Sequence, residues 1–258
     1  MQSFVPRRGC ASASVSAAAA LIQRGMLRLP PSPSSPPRPS PSLLFLPGLA
    51  ARPWWDAADA RFAPWLAPLC EAAAAGVLAA EQDALAAAAR GGSDYKLQAN
   101  EHALHAGAWS WQALQSRGAD APAAAAAAPV TAAALAAMPR RMAGVPFAYA
   151  FFSRMGPGVE IAPHFGPTNL RVRVHVPVRV PAGGPAVAGL RVGGETRGYE
   201  VGRALVFDDA FEHSAWNRSP TAERDVLLFD LWHPDLSPDD IDAVQRLFGE
   251  ARAKGWIK

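Results

Sequence analysis

Two histidines beside predicted strands are the residues in this sequence best suited to hold a transition metal. His164 follows the short apolar run VEIAP, and His213 follows the turn FDDAFE. Imidazole is a common ligand of divalent transition metals, so two histidines from neighbouring strands would form part of a metal site. A site of two histidines and one carboxylate would take its third ligand two residues after His164, but Gly166 occupies that position. Isolated histidines are usually structural, so these residues alone leave both roles open.

A predicted strand, residues 171–180, carries cations and a histidine on one face. Side chains along a strand point alternately to opposite faces. One face carries valines: Val172, Val174, Val176, Val178 and Val180. The other face carries Arg171, Arg173, His175, Pro177 and Arg179. The polar face would lie in solvent in an open sheet, or would line an anion-binding lumen in a small barrel, because unpaired buried charge is costly. The two histidines, together with Arg224 at the start of RDVLLFDLW, favour the lumen.

Other catalytic chemistry finds little support in the sequence. The motifs G-x-S-x-G, G-x-x-x-x-G-K-[ST], G-x-G-x-x-G and C-x-x-C are all missing. Two cysteines, Cys10 and Cys70, are too few for a disulfide framework or a cysteine-rich zinc site. Ser214 lies beside His213, but adjacency in sequence does not make a catalytic triad. Nucleophilic catalysis is therefore not expected.

The elements that would position these residues are short strands from about Phe147 onward. The runs YAFFSRM, VEIAP, LRVRVHVPVRV, GLRVGG, ALVFDD and RDVLLFDLW are separated by glycine and proline, which predicts an antiparallel barrel or sandwich. We expect one domain over residues 43–258, with helices in 43–141, the barrel in 147–236 and a short helix in 237–258. Ser237, followed by two aspartates, is the expected N-cap of that last helix.

The first 42 residues differ in composition from the rest. Residues 1–29 are rich in alanine, serine and arginine and contain no acid, which favours a transit peptide for a plastid or mitochondrion; a secretory signal is the alternative. Residues 30–42, PPSPSSPPRPSPS, are expected to form an extended linker. We expect residues 1–42 to be disordered and to have no role in the barrel.

The positive net charge of +3 belongs to the N-terminal segment. Residues 1–55 hold six arginines and no acid, and the remainder has more acidic than basic groups. The charge therefore gives no support for a nucleic-acid partner. No apolar run reaches the length of a membrane span, so no such span is expected.

Three ordered segments resemble the aspartyl/asparaginyl β-hydroxylase family. They are HFGPTNLRVRVHVPV, YEVGRALVFDDAFEHSAWN and RDVLLFDLWHPDLS, and the resemblance runs from about residue 43 to residue 236. The resemblance implies a mainly β fold: a double-stranded β-helix, or jelly-roll, cupin-like barrel, with supporting N-terminal helices and a short C-terminal helix.

The same resemblance implies an Fe(II)- and 2-oxoglutarate-dependent dioxygenase. His164 and His213 would be the iron ligands, and Gly166 matches the family's glycine at the usual carboxylate position, with water in place of that ligand. The residues expected to hold 2-oxoglutarate are Ser153, Arg173, His175 and Arg224. Arg224 is expected to grip the distal carboxylate, since guanidinium and carboxylate geometries match. The implied reaction is hydroxylation of an unactivated C–H bond, by resemblance the β-carbon of an Asp or Asn residue in a peptide or protein.

Two other interpretations remain open. One is a catalytically silent cupin-like module that binds a metal, an anion or a partner; the other is an isomerase or sugar-binding cupin, which would need no oxoglutarate arginine. A small-molecule substrate is an alternative to a peptide or protein. The sequence does not predict the oligomeric state.

Overall fold

The protein is built from two antiparallel β-sheets with helices outside them. A computed structural model describes residues 37–90, 92–94 and 105–255. The strands are β1 Trp54–Trp55, β2 His105–Ala106, β3 Trp109–Ser116, β4 Ala119–Asp120, β5 Ala150–Met155, β6 Val159–His164, β7 Arg171–Arg179, β8 Ala188–Val192, β9 Glu195–Gly198, β10 Leu205–Phe207, β11 His213–Asn217 and β12 Arg224–Trp232. The helices are α1 Ala63–Ala74, α2 Val77–Ala88, α3 Pro122–Ala127, α4 Pro129–Ala136 and α5 Pro238–Ala253.

The strand order defines a jelly-roll, cupin-like barrel. A seven-stranded sheet has the order β1-β10-β7-β12-β5-β3-β4, and a five-stranded sheet has the order β2-β6-β11-β8-β9. Every strand pair is antiparallel. The predicted fold class is confirmed: a mainly β, double-stranded β-helix with supporting helices.

The seven-stranded sheet is buried on both faces, because the helices cover one face and the second sheet covers the other. The valines of β7, with Leu227 and Phe229 of β12, pack against α1 and α2 on the outer face. Val226 and Leu228 of β12 pack toward the five-stranded sheet on the inner face. This two-sided burial explains why the middle of β12, residues 226–229, is a continuous apolar run.

Polar contacts fix the ends of two helices. Ser237 Oγ accepts a hydrogen bond from the backbone N–H of Asp240 at 3.1 Å, and the Asp240 side chain accepts one from the Ser237 backbone N–H, so α5 begins with a capping box. The buried carboxylate of Glu81 accepts hydrogen bonds from the backbone N–H groups of Val130 and Thr131 and from the Thr131 hydroxyl. Glu81 thereby binds the N-terminus of α4, whose first N–H groups have no partner within the helix.

Three local expectations differ from the structure. The range 43–141 was expected to be helical, but β3 lies within it, because Trp109 and Trp111 alternate with polar residues and pair with β5. Arg179 was expected on the lumen face. An irregularity in the β7–β12 pairing next to Asp225 changes the alternation, and Arg179 lies on the helix side.

The third difference concerns the N-terminal segment. The expected transit peptide and most of the expected linker, residues 1–36, lie outside the described residues. Residues 37–42 lie within them, and Ser40 and Ser42 donate backbone hydrogen bonds to the barrel. The expectation that residues up to 42 have no role in the barrel is wrong for these residues.

In the part of the chain that the structure describes, no single helix is long and apolar enough to cross a membrane. Helices α1 and α2 together have the length and apolar composition of a membrane span, but a bend of 75° separates them.

Candidate active site

A cavity of about 440 Å³ lies between the two sheets. Its walls are formed by strands β3, β5, β6, β7, β8, β10, β11 and β12. The loop that follows β6 and the chain near Leu43 complete them. All six side chains singled out by the sequence line this cavity: Ser153, His164, Arg173, His175, His213 and Arg224. A second depression, of about 560 Å³, lies around Trp216 and Arg218 and contains neither histidine.

The two histidines face each other because β6 ends where β11 begins. His164 and His213 are directly paired in the antiparallel register, and their ring centroids are 4.0 Å apart. Nδ1 of His164 donates to the carbonyl of Ala162 at 2.8 Å, and Nδ1 of His213 donates to the carbonyl of Phe211 at 3.0 Å. Since a carbonyl only accepts, both rings carry their lone pair on Nε2, the atom that can bind a metal.

The environment keeps His213 neutral. Burial, reinforced by the neighbouring His164, lowers the pKa of His213 to about 3. Only the neutral imidazole can bind a metal ion. At neutral pH, His213 therefore has no ring proton on Nε2 to lose before it binds a metal.

A carboxylate lies close to the histidine pair but is committed elsewhere. A Cβ atom at Gly166 would overlap the carboxylate of Asp209, so residue 166 must be glycine in this arrangement. The backbone N–H of Gly166 also donates to the carbonyl of Asp209 at 2.6 Å. Within residues 37–90, 92–94 and 105–255, no group of three His, Cys, Asp or Glu side chains is placed to hold a metal ion.

Asp209 belongs to a buried network of two arginines and two aspartates. Arg171 contacts both Asp209 and Asp230, and so does Arg173. Asp230 is directly opposite Arg173 in the pairing of β7 with β12, and both carboxylates are completely buried. Burial alone would raise the pKa of Asp209, but Arg171 and Arg173 outweigh it and hold the pKa below its usual range. The four charges balance one another.

Arg224 is buried without such a partner. Its side chain is 1% exposed, and no carboxylate pairs with it among the described residues. Nη2 contacts the sulfur of Met155, and the guanidinium lies 5.0 Å from the Tyr199 ring centroid. Nε and Nη1 have no hydrogen-bond partner in the described part of the chain. Burial accordingly lowers the pKa of Arg224.

Two further polar side chains sit near Arg224. His175 shares a 3.2 Å hydrogen bond between Nδ1 and the hydroxyl of Tyr199, and its buried Nε2 has no partner among the described residues. Burial first, then the charge of Arg224, lowers the pKa of His175 well below its usual value. The hydroxyl of Ser153 accepts a hydrogen bond from Nε1 of Trp109 at 2.9 Å. Unpaired groups of this kind are the donors and acceptors that a polar ligand would satisfy.

Aromatic rings form one wall of the cavity. Trp111 stacks on Phe151 with centroids 4.1 Å apart, and it meets Trp109 edge to face at 5.2 Å. Tyr149 lies edge to face against Phe151 at 6.4 Å. This wall presents flat apolar surface to anything that enters the cavity.

Sequence reasoning missed several residues of the site. Asp209, in the turn before His213, was not singled out. Its neighbour Asp208 orders that turn by accepting a hydrogen bond from the backbone N–H of Ala210. Asp230 was missed, although it lies at alternate positions with Arg224 along β12 and therefore on the same face. The aromatic wall carried no such signal, because β3 was not predicted.

The family comparison covers most of the barrel. Residues 74–234 match the sequence model of the family described as aspartyl/asparaginyl beta-hydroxylase. That segment is more than half of the chain and includes both histidines, Gly166 and Arg224.

Curated relatives match over a shorter stretch. The chain is 41% identical over 87 residues to the aspartyl/asparaginyl beta-hydroxylase of Mus musculus, covering 34% of this chain and 11% of the relative. It is 37% identical over 108 residues to aspartate beta-hydroxylase domain-containing protein 2 of Mus musculus, covering 41% of this chain and 30% of the relative. The match thus spans less than a third of either relative's length.

The predicted targeting to a plastid or mitochondrion is wrong. The relatives are animal aspartyl/asparaginyl beta-hydroxylases and aspartate beta-hydroxylase domain-containing proteins, not plastid or mitochondrial proteins with a transit peptide. The alanine, serine and arginine composition that favoured a transit peptide is shared by other N-terminal segments and does not specify an organelle.

Solved structures with similar shape match only loosely. A Pseudomonas putida prolyl-4-hydroxylase has a TM-score of 0.38 at 13% identity and covers 66% of this chain and 87% of its own. A predicted oxalate decarboxylase from Thermotoga maritima has a TM-score of 0.34 at 12% identity and covers 54% of this chain and 92% of its own. Likenesses at this level carry no argument about activity.

Proposed function

The chain belongs to the aspartyl/asparaginyl β-hydroxylase family, and we propose that it is an Fe(II)- and 2-oxoglutarate-dependent dioxygenase that hydroxylates an unactivated C–H bond. The observation that carries this proposal is Arg224. It is a buried guanidinium with two nitrogens that lack a partner among the described residues, in the same cavity as two paired histidines. A cation in that state needs an anionic ligand, because burying an unpaired charge is costly.

The residues around the cavity fit both groups that such a reaction requires. His164 and His213 would hold the iron through their Nε2 atoms, and their Nδ1–H groups already donate to carbonyls. 2-Oxoglutarate has a carboxylate at each end. Arg224 would bind the distal carboxylate, and Ser153, Arg173 and His175 supply further polar atoms along the same cavity. When bound, iron with 2-oxoglutarate and dioxygen supplies the oxidising power for C–H hydroxylation, with succinate and carbon dioxide as coproducts.

The protein's own contribution is placement and protection. Arg224 fixes one end of the 2-oxo acid through paired hydrogen bonds, which a planar guanidinium makes to a carboxylate. The charge-balanced network around Asp209 keeps Arg171 and Arg173 in place without adding net charge beside the histidines. The aromatic wall excludes water from the reacting region, which strengthens the electrostatic interactions inside it.

Gly166 would leave the position of a third protein ligand open. Asp209 fills the space that a side chain at 166 would need, and its oxygens are held by two arginines. We therefore propose that the metal has two protein ligands, with water in the remaining position.

The proposed substrate is an Asp or Asn residue of a peptide or protein, hydroxylated at its β-carbon, and a small molecule is the alternative. The family's name supports the first. Leu43, two-thirds exposed, lines the cavity and marks where it reaches the surface, so a chain segment could approach there.

The experiment offers peptides containing Asp or Asn to the purified full chain with Fe(II), ascorbate and 2-oxoglutarate. We expect a product heavier by one oxygen atom, formed only with iron, and no product from the His213→Ala protein. Circular dichroism of that variant checks that it is folded. Product from His213→Ala at the wild-type rate would contradict the metal assignment. Metal binding without any oxoglutarate turnover would instead favour the silent metal-binding module.

A further inference from the structure

The alternating proline and serine residues before the barrel form a hydrogen-bonded strap across the candidate site. We call residues 39–46 the N-terminal strap. Ser40 N–H donates to the carbonyl of Ala210 at 2.7 Å, and Ser42 N–H donates to the carbonyl of Gly166 at 2.9 Å. Ala210 lies in the turn before His213, and Gly166 lies in the loop after His164, so the strap contacts both histidine-bearing loops.

The strap continues along the loop that follows His164. The backbone N–H groups of Leu43 and Leu44 both donate to the carbonyl of Pro167, at 3.0 and 2.9 Å, and Leu44 forms a parallel bridge with Thr168. Leu46 then exchanges two hydrogen bonds with the side chain of Asn169, at 2.8 and 2.9 Å. The loop is therefore held along its whole length from residue 166 to residue 169.

The sequence of the strap suits this arrangement residue by residue. Pro39 and Pro41 are buried, and proline has no backbone N–H that burial would leave unsatisfied. The intervening serines supply the two N–H groups that point at barrel carbonyls. A flexible linker would need no such alternation, because its backbone groups bond to water.

From this geometry we infer that the strap is a positioning element for the proposed two-histidine metal site. Gly166 N–H already bonds to the carbonyl of Asp209, which joins the two loops directly. Ser40 and Ser42 add a second connection from outside, so that displacement of either loop breaks a strap hydrogen bond. The inference rests on the proposed function only for the identity of the metal; the strap itself would preset the separation of His164 and His213.

The test removes strap hydrogen bonds and measures metal affinity rather than turnover. Ser42→Pro deletes the N–H that donates to Gly166 and preserves an extended backbone. We expect Mn²⁺ binding, titrated by electron paramagnetic resonance on the full chain, to weaken about fivefold, the equivalent of about 1 kcal/mol for one hydrogen bond. Ser40→Pro should act in the same direction through the loop before His213.

Two controls separate positioning from general stability. Ser42→Ala keeps the backbone N–H and should bind Mn²⁺ as the wild type does. Ser237→Ala removes the α5 N-cap, which lowers stability by about 1 kcal/mol and should leave Mn²⁺ affinity unchanged. Wild-type Mn²⁺ affinity in both proline variants would overturn the inference.

A measurement on the wild type decides the case if a proline variant fails to fold. Linkage is reciprocal, so a metal that depends on the strap must also stabilise it. We expect amide hydrogen exchange at residues 40, 42, 43 and 44 to slow when Mn²⁺ is added, and no change would overturn the inference. If the wild type does not bind Mn²⁺ at all, the proposed function is contradicted. The strap hydrogen bonds are not, because they protect the four amides from exchange even without metal.

Discussion

Arg224 and Asp225 are neighbours in sequence, but they lie on opposite faces of β12 and have different charged neighbours. Asp225 lies on the helix side, where it is completely buried and accepts hydrogen bonds from Arg154 and Arg179. Arg224 lies on the cavity side, equally buried, and faces no carboxylate among the described residues. Both side chains are charged and buried, but among the described residues only Asp225 has oppositely charged partners.

The difference distinguishes a structural charge from a binding charge. On the helix side, the arginines around Asp225 also reach Asp83, so the cluster is satisfied without any ligand. On the cavity side, Arg224 has no carboxylate partner in the described part of the chain, whereas Arg171 and Arg173 close by have two between them. Burying an unpaired cation costs free energy, and an anion that binds to the cation offsets that cost.

Replacing Arg224 should produce the largest effect on ligand binding. Arg224→Met should weaken 2-oxoglutarate by at least about a hundredfold, since breaking a buried charge pair costs about 3–5 kcal/mol. The same variant, without ligand, should be at least as stable as the wild type, because an unpaired buried charge is removed. Anaerobic titration with Mn²⁺ present, and chemical denaturation without ligand, give the two values. Arg179→Met is the matched control: it should lose stability and keep its 2-oxoglutarate affinity.

Replacing Asp225 should reverse this pattern. Asp225→Asn leaves Arg154 and Arg179 without their buried partner, and both are partly exposed, so we expect a loss of about 2–3 kcal/mol in the free energy of unfolding. 2-Oxoglutarate affinity should stay at the wild-type value. Weakened oxoglutarate binding in the folded Asp225→Asn protein would remove the distinction between the two faces. Asp83→Ala, which removes an exposed member of the cluster, should cost no more than about 0.5 kcal/mol.

Adding a side chain at Gly166 should disturb the cavity side directly. Gly166→Ala places a Cβ against the Asp209 carboxylate, which Arg171 and Arg173 hold, so we expect a loss of about 1–3 kcal/mol from overpacking. Thermal denaturation of the metal-free protein measures it. Stability equal to the wild type would show that Asp209 can move away. The same substitution at Gly249 in α5, where a Cβ meets nothing within 4 Å and the backbone is helical, is the control and should lose no stability.

Ser153→Ala should have the smallest effect. The variant loses a hydroxyl that accepts from Trp109 and lines the cavity beside Met155, so we expect about fivefold weaker 2-oxoglutarate, or about 1 kcal/mol. The titration used for Arg224→Met measures it. A loss as large as that of Arg224→Met would mean that Ser153, and not the buried cation, dominates cosubstrate binding.

Much of the barrel could be predicted from the sequence, because local pattern and burial agree there. The alternation of valines with Arg171, Arg173 and His175 predicted the two faces of β7, and the structure has the valines in the core and these polar residues at the cavity. The Ser237 cap is equally local, since the hydroxyl and the N–H it accepts from are three residues apart.

The remaining features depend on contacts between distant residues. The pairing of Asp209 with Arg171, and the fit of Asp209 against Gly166, arise only when β10, β7 and the loop after β6 come together. Arg179 lies on the helix side because of a pairing irregularity that strict alternation cannot express. The strap up to residue 42 was interpreted as a linker because its composition is that of one. Only the hydrogen bonds to the carbonyls of Gly166 and Ala210 show that its serines are bound.

The decisive measurement is succinate formation from 2-oxoglutarate by the full chain. Wild type and Arg224→Met are compared, each with and without Fe(II). We predict iron-dependent succinate from the wild type and at most a few per cent of that amount from Arg224→Met, when 2-oxoglutarate is near its wild-type dissociation constant. No succinate from iron-loaded wild-type protein, or equal amounts from both proteins, would contradict the claim that the unpaired cation on the cavity face of β12 binds the cosubstrate of a dioxygenase.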